Sequence, residues 1–235
     1  MQTELYVGTS GYAYRKWKGS FYPAQLPADE MLGFYSRHFR TVEVHYTFHR
    51  FPPRRTLEEW LTATPAGFQA ALVAHQSITH TRRLENIEAP LARFLQVATV
   101  LALEQRLGPL LFQVPPDLPR DLDRLEEFLS RRPRAARFVL QFADSTWFSE
   151  EVYALLCRHQ SALCLAETDA GSSPAELTAG FAYVHLHRSD YSDDDLRRWR
   201  EQFEAWRAQG RDVYVYFKSE TPGRAPACAR RLLEL

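Results

Sequence analysis

Six of the eight histidines lie at, or just beyond, the ends of short apolar runs that have the pattern of β-strands. These six are His45, His49, His75, His80, His185 and His187. His185 and His187 belong to one run, and a strand rises ~3.3 Å per residue, so both imidazoles project from one face about 7 Å apart. Metal ions use this spacing, and Glu43, His45 and Glu167 could complete a Zn²⁺ or Mn²⁺ site. Because no HExxH or comparable motif accompanies them, two hydrogen-bonded core histidines are the simpler interpretation, and a divalent metal stays an open cofactor hypothesis.

Glu43 is the carboxylate best placed for chemistry, because it precedes His45 by two residues on the same strand face. Such a group near several cations is a candidate general acid or base. The alternative is a structural ion pair with an arginine such as Arg82. Four residues are predicted to hold a metal or to move protons, namely Glu43, His45, His185 and His187. Ser10 lacks the elbow motif of an activated serine, so it is not assigned as a nucleophile.

Charge is unevenly distributed although the formal net charge is zero. The stretches 9–28, 45–55 and 75–83 follow the first three strand-like runs and contain basic residues but no acid. Three neighbouring basic loops favour an anionic ligand, either nucleic acid or a phosphorylated small molecule. The cations expected to neutralise a phosphate are Arg15, Lys16, Arg50 and Arg82.

Aromatic residues alternate with cations in the first of these loops, a composition that can stack bases and hold phosphates. Tyr12 and Trp17 are therefore predicted to stack on a ligand. The alternative is that Trp17, Phe21 and Tyr22 are ordinary loop packing. His80 is either a phosphate donor or proton shuttle, or it caps the next segment. The other residues predicted to line the pocket are Gln113, Gln141, Trp147, Tyr216 and Lys218.

Eight strand-like runs alternate with helix-like stretches, which predicts parallel strands joined by crossover helices. The runs are Leu5–Val7, Thr41–His45, Phe68–Ala74, Leu110–Val114, Arg137–Phe142, Ala162–Ala166, Phe181–His187 and Val213–Phe217. Eight such units in 235 residues match a (β/α)₈ TIM barrel, with residues 1–235 as a single domain and the site where the strands end. The weakest unit is 167–180, where Gly171-Ser172-Ser173-Pro174 leaves room for only a short helix.

Side-chain alternation along the strands then separates the inside of the barrel from the outside. Ala182, Val184 and Leu186 must pack on helices, so His185 and His187 should point inward. The same alternation predicts further inward side chains, namely Thr41, Glu43, His45, Gln113, Gln141, Glu167, Tyr183, Tyr214, Tyr216 and Lys218.

Several classes of protein are disfavoured by composition. No stretch approaches ~18 uninterrupted apolar residues, so no membrane span is predicted. Residues 1–4 lack the basic and apolar pattern of a secretory signal. Cys157, Cys164 and Cys228 have no metal-type spacing and are expected to be free thiols in a reducing cytoplasm. The oligomeric state is left open.

Distinctive strings recur along the chain. They are Gly8-Thr-Ser-Gly-Tyr-Ala-Tyr, Trp17-Lys-Gly, Phe21-Tyr-Pro23, His38-Phe-Arg-Thr-Val-Glu43, Ile78-Thr-His80, Leu107-Gly-Pro-Leu-Leu-Phe-Gln-Val-Pro-Pro116 and Tyr214-Val-Tyr-Phe217. Together they resemble the YecE-like "domain of unknown function 72" family over essentially the whole chain. The resemblance implies a (β/α)₈ barrel but no activity, because the family is biochemically unassigned. A likeness to metal-dependent DNA-repair endonucleases of barrel fold is an analogy of fold alone.

Departures from that family's usual strings fall in the expected pocket. The Asn-Ser-Thr-Phe string is His45-Tyr46-Thr47-Phe48 here, and the lysine usual on strand three is Val73. Gln141-Phe142-Ala143-Asp144 replaces Glu-Phe-Arg-His, and the Arg-x-His-Gly of strand seven is His185-Leu186-His187-Arg188. Lys218-Ser219 replaces Asn-Asn. These exchanges indicate that this chain either differs from its relatives in chemistry or has none.

Three hypotheses of function follow. The leading one is an anion-binding site for a phosphorylated ligand or nucleic acid, with phosphodiester hydrolysis as the reaction if the protein is an enzyme. The second is a small-molecule enzyme, such as a sugar-phosphate isomerase or lyase, that uses Glu43 and a histidine and has a closed pocket with one phosphate-sized site. The third is a non-catalytic ligand-binding protein.

Overall fold

The computed structural model describes residues 3–235. Its strands are β1 Leu5–Thr9, β2 Thr41–Val44, β3 Gln69–Val73, β4 Leu107–Gln113, β5 Phe138–Gln141, β6 Ala162–Thr168, β7 Gly171–Ser172, β8 Phe181–His187 and β9 Asp212–Phe217. All except β7 are parallel and follow the order β1-β9-β8-β6-β5-β4-β3-β2, which makes a nearly closed barrel. Each predicted run corresponds to one of the parallel strands, so the predicted TIM barrel is confirmed.

Helices cover the outside of the barrel. They are α1 Met31–Tyr35, α2 Tyr46–His49, α3 Arg54–Ala63, α4 Glu88–Leu103, α5 Leu122–Ser130, α6 Glu150–Arg158, α7 Asp193–Ala208 and α8 Arg224–Glu234. Helix α7 begins at a capping box in which Ser192 and Asp195 each bond the other's backbone amide. No helix within residues 3–235 is long and apolar enough to cross a membrane.

The connection from β6 to β8 differs from the prediction of a short helix in 167–180. The short strand β7 instead forms an antiparallel hairpin with β6, and no helix follows it before β8 in this described segment. Gly171 has a φ of +140°, which residues with a side chain rarely adopt. The Thr178 hydroxyl then donates to Ser161 O at 2.7 Å and accepts from the Leu163 amide at 2.9 Å. Bonds to the start of β6 therefore hold this segment in place of helical bonds.

The seam between β1 and β2 differs from the other strand pairs. One isolated parallel bridge joins Ser10 to Glu43 just beyond the end of β1. The Gly11 amide donates to Glu43 O at 2.8 Å, so the backbone on both sides of this bridge is fixed. The seam thus places Ser10 directly beside Glu43.

Tyr35 of α1 fills the rest of this seam. Its buried hydroxyl accepts from the Thr9 amide at 2.8 Å and donates to Thr41 O at 3.1 Å. At Gly8, an added Cβ would lie 2.2 Å from Thr41 O, so this close approach of the two strands requires glycine. A side-chain hydroxyl therefore supplies part of the hydrogen bonding that a strand ladder would give here.

The predicted alternation along β8 is confirmed. Ala182, Val184 and Leu186 pack in the cluster between strands and helices, whereas Tyr183 belongs to the cluster inside the barrel. Except for Gln113 and Gln141 at the strand ends, the inner faces of β3 to β6 are small or apolar and include Ala71, Val73, Leu111, Val139, Ala162 and Cys164. Polar inward groups are therefore concentrated on the opposite side, near the seam.

Candidate active site at the carboxyl end of the barrel

Glu43 lies at the centre of a hydrogen-bonded cluster inside the barrel. Strand β2 turns its side chain inward, and it is fully buried. Its Oε1 accepts from the Ser10 hydroxyl and from His45 Nε2, both at 2.8 Å. Its Oε2 accepts from the Tyr183 hydroxyl and from His185 Nε2, the latter at 2.6 Å. An ionised carboxylate only accepts hydrogen bonds, so these four donors satisfy a charge that is shielded from solvent.

Glu43 and His185 form a buried ion pair. Burial by itself raises the pKa of Glu43, but the charges and hydrogen bonds of His185 and His45 outweigh it and hold this pKa well below its usual value. Burial likewise lowers the pKa of His185, whereas the adjacent Cys164 and Glu43 raise it, and its pKa ends well above its usual value. We therefore describe the pair as carboxylate and imidazolium at neutral pH.

His45 connects the buried cluster to the surface. It follows β2 directly, and 32% of its side chain is exposed. Its Nε2 lies 2.6 Å from Ser10 Oγ and 2.8 Å from Glu43 Oε1. Because the carboxylate must accept, Nε2 of His45 is assigned as a donor. No hydrogen bond within residues 3–235 involves Nδ1 of His45, so its lone pair is available to a ligand.

A cleft of about 310 Å³ lies beside His45. The loop after β1 contributes Tyr12 and Tyr14 to one wall, and α2 and α3 contribute Tyr46 and Trp60 to the other. Its volume is at the lower end of the range for small-molecule sites. An imidazole that contacts both this cleft and a buried carboxylate can transfer a proton to or from a bound molecule.

The basic residues of the three loops have different surroundings. Four make ion pairs with acids, namely Lys16 with Glu220, Arg54 with Glu58, Arg55 with Glu59 and Arg83 with Asp117. Arg82 donates to the Asn86 carbonyl at 2.7 Å. Arg15, Lys18 and Arg50 are exposed and make no ion pair with any acid of residues 3–235. Of the four predicted phosphate ligands, Lys16 and Arg82 are thus already engaged, and Arg15 and Arg50 stay available.

Three predicted ligand contacts lie in the core instead, which corrects the prediction. Trp17 is only 2% exposed, so it cannot stack on a ligand, and its loop position reflects packing. Trp147 is completely buried and donates from Nε1 to Leu118 O at 2.7 Å. Tyr216 is also buried, with its hydroxyl 2.7 Å from Thr41 Oγ1. Aromatic residues at strand ends and in loops have the same pattern whether they bind or pack, which is why the sequence did not separate them.

The remaining predicted side chains surround other parts of the barrel mouth. Gln113 donates from Nε2 to Gln141 Oε1 at 2.8 Å, and both are half-buried. His187 is half-buried, and burial and the nearby Lys218 charge lower its pKa. His80 is exposed and packs its ring edge-to-face with Phe48. None of these predicted ligand residues donates to Glu43 in the described structure.

Of the metal ligands suggested by the sequence, Glu43, His45 and His185 meet through hydrogen bonds, whereas Glu167 and His187 do not contact Glu43. Glu167 faces outward, contrary to the prediction, and its Oε2 accepts from Trp199 Nε1 of α7 at 3.0 Å. Alternation explains this, since Cys164 points into the barrel and Glu167 is an odd number of residues away. Across residues 3–235, no group of three or more His, Cys, Asp or Glu side chains is arranged to hold a metal ion. Of the two β8 histidines, His185 is the one that bonds Glu43.

Four contributors to the site were missed or discounted from sequence. The alternation predicts Tyr183 inside the barrel but indicates no role for it, although it lies two residues before His185 on the same face. Ser10 was discounted as a nucleophile, and its actual role is to bond Glu43 and His45 across the seam. Tyr46 and Trp60 carry no signal in the sequence, because their approach to Tyr12 depends on how α3 packs.

Comparisons with known proteins agree with the fold. The family model described as "Protein of unknown function DUF72" matches residues 6–235. UPF0759 protein YunF of Bacillus subtilis (strain 168) is 24% identical over an alignment 268 residues long. The alignment covers 98% of this chain and 94% of that protein. A DUF72 family protein from Thermotoga maritima has a TM-score of 0.86 and 25% identity, over 98% of each chain. Another from Enterococcus faecalis has a TM-score of 0.80 and 14% identity, over 98% of this chain and 94% of that one, which shows the fold alone.

Proposed function

Because this chain belongs to the DUF72 family, whose members are described as proteins of unknown function, we propose a function from the site itself: an acid–base enzyme that moves a proton on a small-molecule substrate. This is the chemistry of an isomerase or a lyase. The observation that carries the proposal is the contact of His45 with both a fully buried carboxylate and a small cleft.

In the proposed reaction, Nδ1 of His45 takes a proton from the substrate. The Nε2–H stays bonded to Glu43, whose negative charge stabilises the imidazolium that forms. The imidazolium then returns the proton, either to a neighbouring substrate atom or to a leaving group. Ser10, Tyr183 and His185 are positioning residues, because they hold the carboxylate without touching the cleft.

A substrate screen with matched variants tests this proposal. Purified protein is incubated with a library of small metabolites, and conversion is followed by mass spectrometry. Any activity found should fall about 10²–10⁴-fold in His45→Asn and Glu43→Gln, the usual worth of general acid–base catalysis. The control is His159→Asn. His159 bonds Glu126 at 2.8 Å, a histidine–glutamate pair like that of His45 and Glu43 but outside the site.

Two outcomes would contradict the proposal. One is conversion by His45→Asn at the wild-type rate, which would remove His45 from the reaction. The other is an absence of conversion by the wild-type protein across the library, which would favour a non-catalytic ligand-binding protein.

A second candidate function is the binding of nucleic acid or a phosphorylated ligand by the basic loops, with hydrolysis of a phosphodiester as its reaction. The observation in its favour is the exposure of Arg15, Lys18 and Arg50 without an acidic partner among residues 3–235. Cations that neutralise phosphates release counterions, which makes affinity depend on salt.

Fluorescence anisotropy with a short single-stranded DNA at several salt concentrations tests this candidate. The logarithm of the binding constant falls linearly with the logarithm of the salt concentration, by ~0.7 for each phosphate that the protein neutralises. Replacing Arg15, Lys18 and Arg50 by alanine should therefore make this slope less steep by about 2. The double variant Arg54→Ala/Arg55→Ala is the control, because both of its arginines are already paired with glutamates. Equal salt dependence in all three proteins would exclude this surface as the binding face.

A further inference from the structure

The walls of the cleft beside His45 are aromatic on both sides. Tyr12 and Tyr14 come from the loop after β1, and Tyr46 and Trp60 come from α2 and α3. The rings of Tyr46 and Trp60 meet edge-to-face, with centroids 6.2 Å apart. Tyr46 is 43% exposed, an unusual exposure for an aromatic side chain of this protein. Ring faces at a cleft rim are surfaces on which a flat or ring-shaped molecule can stack.

The cleft contains no permanent charge. Of the residues that line it in the described structure, none is a lysine, arginine, aspartate or glutamate. Arg54 and Arg55 pair with glutamates one turn further along α3. The exposed Arg15 and Arg50 have no such partner, but they do not line the cleft. Lys16 donates to the Glu220 carbonyl at 3.0 Å. A phosphate or carboxylate inside the cleft would therefore be desolvated without a counter-ion, which is unfavourable.

Neutral hydrogen-bonding groups remain for a ligand. The Tyr14 hydroxyl already donates to Ser10 O at 3.0 Å. The hydroxyls of Tyr46 and Thr56 make no hydrogen bond within residues 3–235. Together with Nδ1 of His45, they could satisfy hydroxyl, carbonyl or ring-nitrogen groups of a bound molecule.

We propose that the part of the substrate held in this cleft is an uncharged, hydrogen-bonding ring that stacks on Tyr46 and Trp60. This inference rests on the proposed function, because it takes the bound molecule to be a substrate. Binding of the ring itself can be measured without turnover. Sugars and heteroaromatic rings share this chemistry, since both present an apolar face and a polar edge. The inference narrows the substrate class, because it places any phosphate of the substrate outside the cleft.

Two pairs of probes that differ in charge test the inference by ligand-observed saturation-transfer NMR. One pair is glucose and glucose 6-phosphate, and the other is nicotinamide and nicotinate. We expect at least one uncharged probe to bind about tenfold or more tightly than its charged counterpart. The pair that responds distinguishes a sugar from a heteroaromatic ring. Tighter binding of the charged member of both pairs, or no binding by any of the four probes, would overturn the inference.

Variants then assign the binding to these walls. Trp60→Ala and, separately, Tyr46→Ala should each weaken the bound probe about tenfold, within the range of stacking on one aromatic ring. Substitution of Tyr46 is less expected to disturb folding than substitution of Trp60, because the Tyr46 ring is exposed. Trp199→Phe is the control, since Trp199 lies on α7 and bonds Glu167. Unchanged affinity in both cleft variants would overturn the stacking assignment.

The same probes separate failure of this inference from failure of the proposed function. Binding of the probes needs no turnover, so it is measured on the wild-type protein beside the conversion screen. If a ring binds but the wild-type protein converts nothing, the inference stands and the proposed enzyme function fails. If the protein converts a substrate whose phosphate is held by the cleft residues, the enzyme function stands and the inference fails.

Discussion

The two ends of the barrel stabilise a charged side chain in different ways. At the carboxyl end, Glu43 is fully buried and is held by hydroxyl and imidazole donors. At the amino end, Arg137 keeps 43% of its side chain exposed. It donates to Asp212 at 2.8 Å and to the Tyr214 hydroxyl at 2.5 Å, and its guanidinium lies 5.5 Å from the Phe181 ring centre.

The difference lies in what neutralises each charge. Arg137 has the carboxylate of Asp212 as its counter-ion and keeps access to solvent. The counter-ion of Glu43 is the imidazolium of His185, a charge that is lost when the pH rises through the raised pKa of that histidine. This comparison agrees with the general division of TIM barrels into a stabilising amino end and a reactive carboxyl end.

The largest expected difference is in the free energy of unfolding. Glu43→Gln leaves the His185 imidazolium without its counter-ion, and removing one partner of a buried ion pair costs about 3–5 kcal/mol. Arg137→Met removes a pair that is open to solvent and should cost about 1 kcal/mol. Urea denaturation of the three proteins at pH 6 measures both values. Equal losses would show that the two ends do not differ as described.

The two tyrosines that contact these charges form a matched pair. Tyr183→Phe removes a buried donor to Glu43 and should lower the free energy of unfolding by about 1.5–3 kcal/mol, the range for a hydrogen bond to a charged group. Tyr214→Phe removes an acceptor from Arg137, which water can replace, and should cost about 1 kcal/mol or less. Thermal and urea unfolding check the order, and a larger loss in Tyr214→Phe would reverse the comparison.

Stability should depend on pH through the carboxyl end. The depressed pKa of Glu43 contributes stability above its usual value of 4.5, and this contribution is lost as the pH falls below that value. The raised pKa of His185 contributes stability that is complete below 6.5 and is lost as the pH rises towards the folded-state pKa. Above pH 6.5 the free energy of unfolding should therefore fall by up to about 1.4 kcal/mol per pH unit.

Urea midpoints measured between pH 5 and pH 9 test this dependence. His185→Gln should flatten the alkaline decline, whereas Arg137→Met should leave its slope unchanged. A decline of the same slope in His185→Gln would assign the effect to another group.

The smallest effect on stability is expected at His45. His45→Asn removes one of the four donors to Glu43, but the ring is partly exposed, so the loss should be about 1 kcal/mol or less. Under the proposed function the same change lowers conversion of the substrate about 10²–10⁴-fold. Parallel measurements of unfolding and turnover separate the two roles, and a loss as large as that of Glu43→Gln would make His45 a structural residue.

Much of the architecture was predictable because it depends on local patterns. The alternation of apolar residues placed Glu43, His45 and His185 on inward faces, and the structure confirms this for all three. The prediction that Glu167 points inward is wrong, because this residue lies beyond the end of its predicted run and the alternation does not extend to it with that phase. The prediction of a short helix before β8 is also wrong. A hairpin forms there, and the Thr178 hydroxyl bonds the start of β6.

The role of each inward group was not predictable from the same patterns. Trp17 and Tyr12 have similar contexts in one loop, yet Trp17 is buried and Tyr12 lines the cleft. The basic residues of that face had the expected sign, but the acids that pair with Lys16 and Arg83 come from distant parts of the chain. Composition reports which charges exist, and packing decides which of them stay free.

By itself, the sequence determined the order of strands and helices, the inward position of the site residues and the end of the barrel at which they meet. These follow from periodicity and strand polarity, which depend on near neighbours in the chain. Only the tertiary structure decided that Glu43 receives its donors at once from the residues that follow β1 and β2 and from β8. It also decided that Tyr46 and Trp60 enclose a cleft beside His45. The convergence of residues as far apart as Ser10 and His185 depends on barrel closure and strand register, to which no local pattern is sensitive.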